Sequence, residues 1–411
     1  MSSKNTLQPI NAKHTAQTNK QINNVVGVKR TALLCFSHLR WDFVYQRPQH
    51  IMSKFASEYA ILFIEEPIYS NEDEAYLEVR EVKTNIHVLQ PRIPKSFSMI
   101  QIKKSQSELL DKFLLANIYE THILWYFTPM SISWTKHLCA AVTVYDCMDE
   151  LTAFKDAPIG LRDMELELIH LADLIFTGGG SLYKAKCGQH PSVHLFPSSV
   201  DFEHFSIARN QLAEPADQMR IPHPRIGFYG VIDERFDICL IENLAKYRTD
   251  WNFIFIGPVV KIDPESLPKS FNIYYLQSKT YEELPYYLSG WDVALIPFAM
   301  NDSTKFISPT KTPEYLAGGK PVVSTPIRDV VSTYKGVDVV YIAEAENLPK
   351  FINAIESGLK DSQNPKKVHE QANFILRNMS WDKTFMEMYK LILEVQNKKE
   401  IANEHPKQQI F

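Results

Sequence analysis

The stretch SPTKTPEYLAGGKPVVSTP (308–326) holds two hydroxyl–proline pairs, a short apolar run with one glutamate, and two glycines before a β-branched run. Proline suits the first position of a helix, because its missing N–H has no intrahelical partner there. Ser308 or Thr312 is expected to cap the orphan amides of the first turn, and Gly318 and Gly319 to supply a left-handed stop. PVVST (321–325) then reads as a buried strand. The stretch therefore predicts a loop, a helix of about two turns and a strand. Free amides and the positive dipole end suit an anion at such a helix start. The plainer reading is an ordinary capped helix between two strands.

Outward from this segment, short apolar runs alternate with helical patterns, which predicts βα units around parallel sheets. In the first half the strands are TALLCF (31–36), AILFIE (60–65), HILWYF (122–127), VTVYD (142–146), DLIFTG (173–178) and VHLFP (193–197). RPQHIMSKFASEY and LRDMELELIHLA between them space apolar residues by three and four, as helices do. A second series runs RIGFYG (225–230), NFIFIG (252–257), NIYYL (272–276), DVALIPF (292–298), PVVST and DVVYIA (338–343). The polar segment at 207–224, with three prolines, reads as the linker. Helical patterns at 347–359 and 366–394 end the chain. The expected order is a disordered tail (1–28), a Rossmann-like domain (29–210) and a second one (220–378). A terminal helix (379–396) returning to the first domain and a polar tail (397–411) follow.

The 411 residues suffice for two such domains, and 45% apolar with 22% charged residues fits a globular chain. A formal charge of −4 argues against nucleic acid as a partner. The five cysteines, Cys35, Cys139, Cys147, Cys187 and Cys239, form no CxxC pair and no metal-ligand spacing with His, so they read as reduced. No apolar run is long enough to span a membrane and the N-terminus has no secretory signal pattern, which predicts a cytoplasmic protein.

In open parallel sheets the chemistry lies beyond the carboxyl ends of the strands. Gly230, in GFYGVIDERFD (227–237), lets backbone approach a ligand, and Arg235 can clamp a phosphate. The anion-site candidates further on are Ser308, Pro309, Thr310 and Lys311. Glu314, one turn into the helix, either complements the dipole or accepts the hydroxyls of a ribose. TVYDCMDELTAF (143–154) ends a strand in carboxylates, of which Asp146 and Asp149 are the catalytic candidates, helix capping being the alternative. FTGGGSLY (176–183) includes Gly179 in a turn that fits against something bulky but lacks dinucleotide spacing. SHLRWDFVYQRPQH (37–50) offers His38, Arg47 and His50 to the acceptor or the cleft.

RWDFVYQRPQH, VYDCMDELTAF, ADLIFTGGGSLY, HLFPSSVDFEHF and SPTKTPEYLAGGKPVVSTP, in this order, resemble bacterial glycosyltransferases of the GT-B fold. They are most similar to the retaining family-4 type (glycosyl transferases group 1), which includes sucrose and glycogen synthases. The resemblance implies an α/β fold of two tandem Rossmann-like domains facing across a cleft, with a C-terminal helical segment. It also implies a nucleotide-diphosphate sugar donor on the second domain and a saccharide or lipid-linked acceptor on the first, with no metal and no cofactor. Carried over by position, Arg235 and Lys311 clamp the diphosphate and Glu314 binds ribose. Where the family has a further glutamate, this chain has Phe306. Transfer to a hydroxyl acceptor in polysaccharide or glycoconjugate synthesis is the leading expectation. A nucleotide-sugar epimerase and a non-catalytic sugar-binding module are the alternatives. The segment 91–115 mixes Lys95, Lys103 and Lys104 with Phe97, Met99 and Ile100, which suits peripheral contact with an anionic membrane.

Overall fold

The computed structural model describes residues 31–155 and 157–404; the tail assigned to 1–28 and residues 405–411 of the polar tail lie outside them. The first unit carries strands β1 (Thr31–Ser37), β2 (Ala60–Glu65), β3 (Ile68–Ser70), β4 (Tyr76–Lys83), β5 (Ile86–Pro94), β6 (Thr121–Tyr126), β7 (Val142–Cys147), β8 (Leu174–Thr177) and β9 (Val193–Leu195). Its helices are α1 (Arg47–Phe55), α2 (Met99–Ala116), α3 (Ile132–Thr135), α4 (Leu161–Leu171) and α5 (Gly180–Lys186), after which α6 (Phe202–Ser206) packs through Phe205 on the core of the second unit. The second unit carries β10 (Arg225–Tyr229), α7 (Ile238–Tyr247), β11 (Asn252–Ile256), β12 (Ile273–Tyr275), α8 (Leu284–Ser289) and β13 (Val293–Ile296). It continues with α9 (Lys311–Ala317), β14 (Val322–Ser324), α10 (Arg328–Tyr334), β15 (Val340–Ile342), α11 (Leu348–Ser362) and α12 (Pro365–Leu376), and α13 (Trp381–Glu404) ends it.

The first sheet runs β3-β5-β2-β1-β6-β7-β8-β9, with β4 antiparallel on β5. The second runs β12-β11-β10-β13-β14-β15 and is parallel throughout. Parallel strands covered on both faces are apolar along their whole length, which is why these runs are visible in the sequence. β4 alternates exposed charge with half-buried residues at the sheet edge and escapes that pattern. In each sheet the first strand, β1 or β10, lies between its successor and a strand reached by a crossover. Those two switch points are where loops diverge and ligands fit. They aim His38, Gly230 and the loop before α9 at the space between the units.

One face of the first sheet is completed by the end of the chain. Trp381, Phe385, Met388 and Ile392 of α13 are buried in one cluster with Phe55, Phe63, Trp125 and Phe176. Lys54 meets Asp382 at 2.5 Å, and Lys399 meets Asp173 at 2.7 Å. α13 continues to Glu404, so residues 397–404 of the expected tail are helical. The proline-rich segment at 207–224 is not a free tether. Gln218 is buried within it, donating to the Tyr287 carbonyl and accepting from Trp291 Nε1.

Candidate active site

Tyr315 ties α9 to β10: its hydroxyl accepts from the Tyr229 amide at 3.0 Å. The start of α9 is uncapped, because Thr310 is itself helical and makes no side-chain bond to the amides. Ser308 and Thr312 do not cap it, contrary to expectation, and the Thr312 hydroxyl is buried without a partner. Of the two glycines that end the helix, only Gly319 is left-handed, with φ 74°. Gly318 serves space instead, since a Cβ there would lie 2.3 Å from Leu288.

Lys311 reaches back to Glu314 at 3.2 Å and lies 5.1 Å above the Tyr229 ring. Gly230, at φ 149°, turns beside it, and a Cβ there would stand 3.6 Å from Lys311 Cε. Glu314 is buried, and its charge, after burial, raises the pKa of the Tyr229 phenol, whose oxygen has no partner. The two polar side chains expected to face a donor therefore neutralise each other here.

Arg235 is gripped by Asp233 through Nε at 2.9 Å and Nη2 at 2.6 Å. Its guanidinium sits 5.6 Å over the ring of Phe154, from the other unit. Lys261 sits over the same ring at 5.2 Å. Two cations of the second unit thus converge on one aromatic residue of the first. Lys261 is in the left-handed region, at φ 61°, which a lysine rarely occupies. Nothing in PVVKID marks that conformation, so the sequence reading missed Lys261, as it missed the Asp233 partner of Arg235.

Asp149 faces this cation pair. Burial pushes its carboxyl up from 3.8 to about 6, while Arg235 pulls it down and Asp233 pushes it further up. His38 stands near Lys261; burial first and Lys261 second lower it to about 4, and its Nδ1 is buried without a partner. It is a neutral imidazole at neutral pH.

Three other candidates, Asp146, Arg47 and His50, are buried. Asp146 is fully buried and takes three hydrogen bonds from Arg47, the shortest at 2.8 Å, while Arg47 also donates to the Phe196 carbonyl at 2.7 Å. Each is the counter-ion of the other. They fasten α1 to β7. His50 is stacked on Trp381, with ring centres 4.7 Å apart, and burial with the charge of Lys311 lowers it to about 3. Its environment is aromatic packing, with Tyr45 and Tyr281 against its edges.

Gly179 meets the second unit directly. A Cβ there would fall 2.1 Å from Asp329 Oδ2 and 2.7 Å from Ser308 Cβ, so only glycine fits. Asp329 accepts from the Ser181 amide at 2.9 Å and from its hydroxyl. The bulky neighbour implied by the glycine run is the other unit. This clasp holds the first unit against Ser308, where the α9 loop begins.

Two parallel sheets facing across a cation-lined cleft, tied by a returning C-terminal helix, are the GT-B arrangement, and the likenesses agree with it. No family model matches the chain. It is 26% identical over 310 residues (69% of this chain, 75% of the relative) to a Bacillus subtilis protein with the provisional name teichuronic acid biosynthesis glycosyltransferase TuaH. The fold resembles sucrose-phosphate synthase of Thermosynechococcus elongatus at TM-score 0.66 and 13% identity, covering 89% of this chain and 99% of that one. It also resembles HepE of Anabaena, solved with UDP and glucose, at TM-score 0.64 and 11% identity, covering 88% and 99%. The chain has the GT-B fold and is similar in sequence to a glycosyltransferase.

Removing one member of a buried ion pair strands the other charge. Arg47→Met is expected to lower stability by about 3–5 kcal/mol in urea unfolding. Arg47→Met/Asp146→Leu should recover most of the loss. If the double variant is no more stable than the single one, the pair is not what fastens α1 to β7.

Proposed function

We propose that the protein transfers a sugar from a nucleotide-diphosphate sugar to a hydroxyl of a saccharide or lipid-linked acceptor, with retention of the anomeric configuration, in polysaccharide or glycoconjugate synthesis. The observation that carries this reading is the convergence of Arg235 and Lys261 on Phe154 beside Asp149, over the switch point of the second sheet. When the bond from anomeric carbon to phosphate oxygen breaks, its electron pair goes to the leaving diphosphate. Fixed cations stabilise that charge without having to reorganise. Arg235 is pre-oriented by Asp233, and Lys311 becomes available once a ribose draws Glu314 away. The acceptor oxygen forms the new bond, and its proton passes to the leaving phosphate. Asp149 then orients the acceptor hydroxyl and supports positive charge on the sugar ring. No cofactor enters this scheme.

Replacing Arg235 or Lys261 by Ala should weaken nucleoside diphosphate binding at least tenfold for Arg235, in line with about 1.5–3 kcal/mol for a charge-assisted bond. Nucleoside binding should hardly change. Calorimetry checks this, and equal losses for nucleoside and nucleotide would count against a phosphate clamp.

The raised pKa of Asp149 gives a pH signature. The carboxylate is present above about 6 and lost below it, so turnover should fall on the acid side with a midpoint near 6. Stability runs the other way, because a raised carboxyl favours the folded state in acid and loses that contribution as pH rises through 6. Asp149→Asn should abolish the acid limb of the rate profile, and an unchanged limb would remove Asp149 from the mechanism.

The reading includes cytoplasmic action with peripheral membrane contact. At the start of α2, Met99 is 66% and Ile100 80% exposed, flanked by exposed Lys95, Lys103 and Lys104. Among the described residues no helix is long and apolar enough to cross a membrane. Co-sedimentation with vesicles containing anionic lipid is expected, and should drop in Met99→Ser/Ile100→Ser. Sedimentation independent of lipid charge would defeat this part of the proposal.

A further inference from the structure

A cavity of about 730 Å³ lies beside the cation pair, with walls from both units. Asp149 and Glu150 divide the space between them. Asp149 faces Arg235, whereas Glu150, one residue on, lines the cavity. The floor is a buried network: Lys186 donates to Glu165 at 2.7 Å and to Glu150 at 2.9 Å, and the Tyr145 hydroxyl donates to Glu165 at 2.7 Å. With every member paired, this network is rigid. Glu150 also accepts from Thr152 Oγ1 at 2.6 Å.

Phe306 closes the cavity from the second unit. It packs against a core cluster of the first unit and separates this cavity from a second one of about 570 Å³ over Asp329. Lys305 and Asp302 lie beside it, and Arg162 stands on the opposite wall. The three cations Lys186, Arg162 and Lys305 balance the three carboxylates Glu150, Glu165 and Asp302, so these charged side chains sum to zero.

We propose that this cavity holds the acceptor, and that the acceptor is an uncharged saccharide. One face of the sugar ring lies on Phe306 and a hydroxyl donates to Glu150. The inference rests on the glycosyltransferase reading and deepens it by naming the acceptor's chemistry. An ionised carboxylate bonds a hydroxyl more strongly than a neutral acceptor does. An apolar wall with a few fixed polar groups is how pockets orient small ligands. A uronate would bring a second carboxylate against Glu150, where Lys186 is already shared with Glu165, and like charges that close repel.

Saturation-transfer NMR on the full chain, with UDP, GDP or ADP present, tests this using methyl hexopyranosides and methyl hexuronosides as probes. The neutral hexosides should receive saturation and the uronosides should not. Phe306→Leu keeps apolar volume but loses the flat face, and Glu150→Gln keeps shape but loses charge. Each should weaken hexoside binding tenfold or more with nucleotide binding unchanged; Phe306→Leu should leave the melting temperature unchanged as well, whereas Glu150→Gln lowers it by taking one partner from buried Lys186. No hexoside signal in the wild type, a preference for uronosides, or equal signals in both variants would overturn the proposal. Nucleotide resonances in the same spectra report on the donor reading separately: a wild type that binds hexosides but no nucleotide would sink that reading and leave the cavity assignment standing.

Discussion

A parallel sheet must be covered on both faces, because crossover helices are what join its strands and its apolar surface has no wet side. That requirement arranges this molecule. Helices occupy the faces, so polar residues collect at the carboxyl ends of the strands. The two sheets turn those ends toward each other, which brings Arg235 and Lys261 of one unit to Phe154 and Asp149 of the other. The first sheet lacks enough cover of its own and takes it from α13. The contact that sets the width of the cleft on one side is equally local, with Gly179 pressed on Ser308 and Asp329.

The cleft chemistry follows from pairing. Buried charges are tolerated when each has a counter-ion. Arg47 with Asp146, and Lys186 with Glu150 and Glu165, satisfy that rule within the first unit. Arg235 satisfies it incompletely: Asp233 holds one edge of the guanidinium while the other sits over rings. Among the described residues, Lys261 has a ring and the nearby Asp149 field. Cationic capacity is therefore concentrated at one point of the cleft, where an anionic group gains most.

Much of the fold was legible because strands buried on both faces are continuous apolar runs, as TALLCF and NFIFIG are. β4 was not, because an edge strand such as YLEVREVK looks like surface helix or loop. The helical pattern assigned to 366–394 is two helices, since Ser380 Oγ caps a new one at Trp381. Gly230, Arg235 and Lys311 were singled out from their place after strands, and the structure has them beyond the ends of those strands. The pairing of Asp146 was not legible, because its partner Arg47 lies 99 residues away and pairing over such distances leaves no local trace. Lys261 was invisible for a different reason: its importance comes from backbone conformation, and lysine carries no sign of a left-handed φ.

The position of α13 also constrains how the chain comes to be folded. A ribosome delivers the first sheet early, then the whole second unit, and only afterwards Trp381, Phe385, Met388 and Ile392. Until those residues emerge, part of the apolar surface formed by Phe55, Phe63 and Trp125 lacks its final cover. Exposed surface of that kind invites aggregation or a holding chaperone. Translation that stops between α12 and α13 would leave the second unit attached to a first one with an open flank.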